Sequence, residues 1–221
     1  MGLVANLSNR SANFIGGGER PNFCIMLIGA NGSGKTLTEE DIVLWWKQSR
    51  PEEDKVVGFL GADNMHTLEK HCDFLIEYEG KGDSWAEDLQ SLENSLIILD
   101  DYRIIHPEDK IQDQFRNLMI NRKNKNLDII MACHSPIDVL SPLVSYITHY
   151  YIFNTQSTKE SFSRKMGNAR VLNAARVMVN KYVSVFGEGN WKDKSFPHII
   201  VDKKSNLYTQ NMKTTTLIQH I

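Results

Sequence analysis

An α/β fold with a mainly parallel central sheet, helices on both faces and an antiparallel edge hairpin near the C-terminus is what this 221-residue sequence predicts. Three observations carry the prediction. Apolar runs of buried-strand length, Phe23–Ile28, Ser95–Leu99 and Leu127–Cys133, alternate with longer stretches of helical composition, the pattern of parallel strands joined by helical crossovers. A glycine-rich turn joins the first run to the first helix-like stretch. Near the end, the polar turn Asp202–Asn206 separates two short β-like runs, which implies an antiparallel pair at a sheet edge.

The opening 1–20, with Gly16, Gly17 and Gly18 and few core residues, reads as an arm or linker, and 21–221 as a single domain. The expected order is strand 23–28, helix 34–49, strand 56–60, a mixed stretch through Tyr78, helix 84–92, strand 96–100 and helix 109–123. Strand 127–133, helix 136–145, strand 148–153, helix 158–182 and a hairpin over 198–210 complete it. No internal repeat is present.

The turn is the informative segment. Gly29, Ala30, Asn31, Gly32, Ser33, Gly34, Lys35 and Thr36 fit G-x-x-x-x-G-K-[ST] at every fixed position, between a strand-like and a helix-like run. Glycines at those places let successive backbone N–H groups face a phosphate, and the helix that follows adds its positive dipole end. The motif predicts a P-loop NTPase that binds ATP, with Lys35 reaching the β- and γ-phosphates and the Thr36 hydroxyl on Mg²⁺.

A second strand should supply the remaining chemistry. The run from Ser95 ends in Asp100 and Asp101, two carboxylates at the edge where a nucleotide would lie. Asp100 is assigned to the Mg²⁺ shell and Asp101 to orienting or deprotonating the attacking water, with a solvated turn cap as its alternative. ATP-hydrolysing proteins often carry Glu at the second place, one methylene longer. The run Leu127–Cys133 ends in His134, Ser135 and Pro136, so His134 is the expected γ-phosphate sensor; the alternative is a histidine satisfied in a local turn. No Asn-Lys-x-Asp element follows, which disfavours guanine.

In this order and spacing, GANGSGKT at 29–36, ILDD at 98–101, the basic Asn121-Arg122-Lys123 before LDIIMACHSP at 127–136, and the terminal strand pair near 198–210 resemble a known family. The chain is similar to the genome-packaging ATPases of tailless icosahedral viruses with internal membranes, a branch of the FtsK/HerA superfamily. The Asp-Asp form of the metal strand is similar to that viral branch, and His134 stands where many superfamily members have Gln. The resemblance, over about residues 22–210, implies a homo-oligomeric ring, hexameric in type, that moves double-stranded DNA irrespective of sequence. It further implies docking on a capsid or membrane protein at a vertex, and a location in the host cytoplasm or virion. Ring ATPases complete each site with an arginine from the next subunit. Arg122 is the first choice for that role, with Arg116 and Arg103 as alternatives.

The net charge of −2 conceals an asymmetry: residues 1–113 carry 10 Lys/Arg and 21 Asp/Glu, whereas 114–221 carry 15 and 6. This suits polar contacts between subunits or a basic face for nucleic-acid phosphate. Lys159, Arg164, Lys165, Arg170 and Arg176 are the phosphate-contact candidates, and a solvated basic face is the alternative, because their spacing drifts around a helix. No apolar run has the length of a membrane span and no signal-like segment opens the chain. Asn6 stands where myristoylation would need Ser or Thr. Cys24, Cys72 and Cys133 read as reduced thiols, and His66, His71 and Cys72 lack the fourth ligand of a zinc site. Three rivals stand beside the motor: a filamentous-phage-type assembly ATPase, which usually carries a membrane span, a small-molecule kinase, and a non-hydrolysing nucleotide-dependent assembly switch.

Overall fold

The computed structural model describes residues 22–59, 65–76, 89–101, 113–165, 169–188, 196–203 and 208–210. In chain order the elements are β1 (Cys24–Ile28), α1 (Lys35–Ser49), β2 (Lys55–Phe59), α2 (Met65–Leu68), β3 (Phe74–Leu75), β4 (Ser95–Leu99), α3 (Asp113–Asn121) and β5 (Asp128–Cys133). They continue with β6 (His149–Ile152), α4 (Lys159–Lys165), α5 (Ala169–Phe186), β7 (Ile199–Asp202) and β8 (Tyr208–Gln210). Among the described residues the strands are mostly parallel.

The chain divides into two compact units, with boundaries at Cys24/Ile25, Lys35/Thr36 and Ala132/Cys133. In the first, the strand order is β3-β2-β4-β5, all parallel. β2 and β4 are in register from Lys55 opposite Ser95 to Phe59 opposite Leu99. The Asp100 N–H donates to the Phe59 carbonyl at 3.0 Å, which carries the ladder one residue past β4. Every residue of β4 and β5 is buried, as expected of parallel strands with no solvent face. In the second unit the order is β1-β6-β7-β8, with β1 and β6 parallel and β6/β7 and β7/β8 antiparallel. The expected C-terminal hairpin is present, and β7 also reverses direction relative to β6.

A buried polar cluster stands at the start of β5. Asp128 is fully buried and accepts from the Phe23 N–H (2.8 Å), Trp46 Nε1 (2.8 Å) and Arg50 Nη2 (2.6 Å). The Arg50 guanidinium also lies 5.7 Å from the centroid of the Trp46 ring, a cation–π distance. Burial pushes the Asp128 carboxyl up to about 6, and the Trp46, Arg50 and Phe23 donors pull against that rise. One carboxylate thereby ties the C-terminal turn of α1 to the first residue of β5.

Several expected elements differ. The helix expected over 136–145 is two 3₁₀ turns, Pro136–Asp138 and Ser141–Ser145. Pro142 is the reason, since it offers no N–H to an α-helical ladder and its ring clashes with the carbonyl four residues back. Of the long helix expected over 158–182, the described residues form α4 and α5, and 166–168 between them lie outside the described residues. The mixed stretch through Tyr78 contains a strand that was not expected, β3, parallel to β2. The arm 1–20, most of the helix expected over 84–92, the first part of that over 109–123 and Arg103 lie outside the described residues.

Cys24 and Cys133 are buried and outside any disulfide; burial pushes the Cys72 thiol up to about 11. No helix among the described residues is long and apolar enough to cross a membrane.

Candidate functional site

The phosphate loop is held by the backbone on both sides. Gly29 N–H donates to the Cys133 carbonyl (3.2 Å), Ala30 N–H to the Asn154 carbonyl (2.8 Å), and Ser33 N–H closes a turn on Ala30 (3.3 Å). Two glycines are required for spatial reasons. A Cβ at Gly29 would fall 2.5 Å from Phe153 Cβ and 2.6 Å from Ser33 Oγ. Gly34 has φ +93°, a left-handed backbone, and a Cβ there would overlap the Phe196 ring. The segment before β7 therefore packs on the loop, through a residue that sequence reading passed over.

Lys35 is buried, at 8% exposure, and its ammonium is folded back onto the loop. Nζ donates to the carbonyls of Gly29 (2.8 Å) and Ala30 (3.1 Å) and to Nδ1 of His134 (3.3 Å). Since an ammonium has only donors, Nδ1 is the acceptor in this contact. The structure thus brings together Lys35 and His134, 99 residues apart in sequence. Ser33 Oγ is buried with no hydrogen-bond partner among the described residues. A buried, unpartnered hydroxyl beside left-handed glycines suits an anion acceptor that brings its own oxygens.

Asp100 and Asp101 stand at the C-terminal end of β4. Asp100 is buried, at 5% exposure, with its backbone still in the ladder to Phe59. Asp101 is half-buried and has φ +52°, so the chain leaves the strand through a left-handed residue. Asp and Asn accept that conformation more readily than other non-glycine residues. Thr36 is half-buried in the first turn of α1, and Asn31 and Gly32 are exposed at the tip of the loop.

The arginines separate by environment. Arg122 is buried, at 5% exposure, just after α3, whereas Arg116 is exposed on α3 and lies 3.9 Å from Asp113. Among the proposed phosphate contacts, Lys159 and Arg170 are exposed. Arg176 is committed inward: Nη1 donates to the Ser157 carbonyl (3.0 Å), while Nε (3.2 Å) and Nη2 (3.0 Å) converge on Asn173 Oδ1. The side chains of Arg164 and Lys165 lie outside the described set.

No protein-family model matches the chain, and no curated protein matches it either. Solved structures do. The genome packaging NTPase B204 of Sulfolobus turreted icosahedral virus 2, in complex with ATP-gammaS, matches with a TM-score of 0.63 at 11% identity, covering 87% of this chain and 98% of that chain. B204, the DNA-packaging ATPase of Sulfolobus turreted icosahedral virus, matches with a TM-score of 0.64 at 12% identity over the same shares, 87% and 98%. The fold is that of the P-loop ATPases. A third match is the cytoplasmic domain of the type VII secretion ATPase EccC of Thermomonospora curvata, with a TM-score of 0.59 at 10% identity, covering 86% of this chain and 24% of that one. The motif-based reading and the structural neighbours agree on a P-loop ATPase fold. At these identities the likeness is one of fold.

Proposed function

We propose that this chain is an ATP-hydrolysing motor that moves double-stranded DNA, packaging a viral genome into a preformed capsid. The observation that carries the ATP site is the Lys35 ammonium, buried on the carbonyls of its own loop and within 3.3 Å of His134. A cation held there, under backbone N–H groups and beside a sensor-type side chain, is arranged for a terminal phosphate. The Sulfolobus virus packaging ATPase B204, which shares the fold over nearly its whole length, supports the biological role.

In this reading the triphosphate lies along Gly29, Ala30, Asn31, Gly32, Ser33, Gly34, Lys35 and Thr36. Thr36 and Asp100 would hold Mg²⁺, a set of one hydroxyl and one carboxylate that suits an ion completing its shell with phosphate and water oxygens. When bound, that ion neutralises charge on the phosphate oxygens. Lys35 turns from its loop carbonyls to the β- and γ-phosphates. Asp101 orients a water and takes its proton as the water oxygen attacks the γ-phosphorus, while the bond to the bridging oxygen breaks and its electron pair leaves with ADP. His134 detects the loss of the γ-phosphate and so couples hydrolysis to movement.

The motor works as a homo-oligomeric, hexameric ring that grips the DNA backbone without reading sequence. It acts in the host cytoplasm and virion, docked on a capsid or membrane protein. For the arginine contributed to a neighbour's site, Arg122 would have to leave its buried position. Arg116, on the exposed side of α3, needs no such displacement and is the first to test.

The test is steady-state ATP hydrolysis with and without linear double-stranded DNA, using Lys35→Ala as the blank. Turnover that DNA stimulates and the blank abolishes is the expected result. Turnover indifferent to DNA would favour a motor for another cargo or a kinase, and none at all an assembly switch.

A further inference from the structure

The residue after His134 begins a hydrogen-bonded chain that ends on helix α5, within the second unit throughout. Ser135 Oγ lies 3.0 Å from Ser157 Oγ, which lies 3.0 Å from Thr155 Oγ1. Asn180 of α5 grips the Thr155 backbone with both ends of its amide: Nδ2 donates to the carbonyl (2.6 Å) and Oδ1 accepts from the N–H (3.2 Å). Arg176, one turn earlier, holds the Ser157 carbonyl (3.0 Å) and is itself braced by Asn173. The same 153–157 segment touches the phosphate loop, because the Asn154 carbonyl accepts from Ala30 N–H and Phe153 N–H donates to Ile28.

We infer that Ser157 and Asn180 are positioning residues that transmit the state of the nucleotide site to α5. The inference rests on the ATPase reading above and adds the route by which that site reaches a helix.

Three features favour the route. The segment is clamped at both ends by paired bonds, so a shift of Ala30 or Ser135 displaces α5 contacts rather than dissipating in a loose loop. Either oxygen of each hydroxyl pair can be the donor, so Ser135, Ser157 and Thr155 have two opposite hydrogen arrangements, a discrete element that a new acceptor near Ser135 can bias. Finally, Asn180 and one guanidinium nitrogen of Arg176 bond to this segment, while Nε and Nη2 of Arg176 bond to Asn173 on the same helix, so a basic residue of α5 points inward. Such a chain is a physical coupling only if both sites bias the same element, and that can be measured.

The experiment is hydrogen–deuterium exchange of α5 amides in the full chain, with and without a saturating non-hydrolysable ATP analogue, beside the analogue's affinity. The parental protein should show an analogue-dependent change of about fivefold or more in α5 exchange. Ser157→Ala and Asn180→Ala, each checked for a cooperative melt, should bind the analogue with an affinity within about threefold of parental, below the usual range of coupling between sites, yet lose the α5 response. Ser157→Thr, which keeps the hydroxyl, should restore it; a purely structural Ser157 would lower the melt and leave the response intact. Parental binding with no change in α5, or variants that respond as the parental chain does, would overturn the inference. Failure of the parental chain to bind the analogue at all would overturn the ATPase reading and this inference with it, and only that outcome appears in the affinity measurement.

Discussion

Acidification from pH 7 to pH 5 should weaken the fold through one buried histidine. His198, on the approach to β7, is stacked 5.7 Å from Tyr151 and tilted 4.8 Å from Phe153, and its Nδ1 donates to the Phe196 carbonyl at 3.0 Å. Burial, opposed by the Phe196 hydrogen bond, lowers it from an ordinary 6.5 to about 4. The folded value is therefore depressed, so the unfolded chain takes up the proton first. The contribution is complete above pH 6.5 and is lost as pH falls toward 4. At pH 5 the two protonation equilibria differ by about 2 kcal/mol, out of a limit of about 3. Urea midpoints at pH 7 and pH 5, for the parental chain and His198→Gln, isolate the effect. Asp128, pushed up to about 6, titrates in the opposite sense in the same window, but equally in both proteins. The parental chain should lose about 2 kcal/mol more than the variant over this interval. Parallel losses would show that His198 does not resist protonation. Because Phe196 abuts Gly34, nucleotide affinity should fall over the same interval in the parental chain.

Replacing Asp128 by Leu leaves Arg50 and Trp46 Nε1 buried without their acceptor and should cost about 3–5 kcal/mol in chemical denaturation, with much of the loss recovered when Arg50→Met is added. Gly34→Ala meets both a left-handed backbone and the Phe196 ring, so binding of a fluorescent ATP analogue should fall by more than about tenfold; adding Phe196→Ala should return part of the melt without returning affinity, because the strain of alanine at positive φ remains. Asp101→Asn tolerates the φ of +52° and should keep nucleotide binding and the melt while hydrolysis drops by about a hundredfold or more, whereas Asp101→Ala should also lose about 1 kcal/mol of stability. Parental hydrolysis by the Asn variant would remove Asp101 from the proposed mechanism.

The strands nearest the site were legible because their burial is one-dimensional. Cys24–Ile28, Ser95–Leu99 and Asp128–Cys133 are covered on both faces, so apolarity runs without interruption and their ends stand out. The phosphate loop announced itself because its constraint is local backbone shape. β3 did not, since two exposed residues, Phe74 and Leu75, carry no period at all. Pro142 was a visible helix breaker that the long helical reading over 136–145 overrode. The Asp128 cluster joins residues 78 to 105 positions apart, and no sequence pattern marks such a bond before the fold exists. Phe196 against Gly34 and the hydroxyl chain from Ser135 are of the same kind.

The left-handed residue at the end of β4 has a consequence for variation at that position. Glu would extend the carboxylate by one methylene, but as a longer side chain without the local hydrogen bonding that eases Asp and Asn into φ +52°, it would have to be accommodated at a cost of about 1 kcal/mol or force the turn to rebuild. The length of the acid and the shape of the turn are thus inherited as a pair. A lineage could exchange one only by remodelling the other, so the short second carboxylate of the ILDD run is as much a record of backbone geometry as of chemistry.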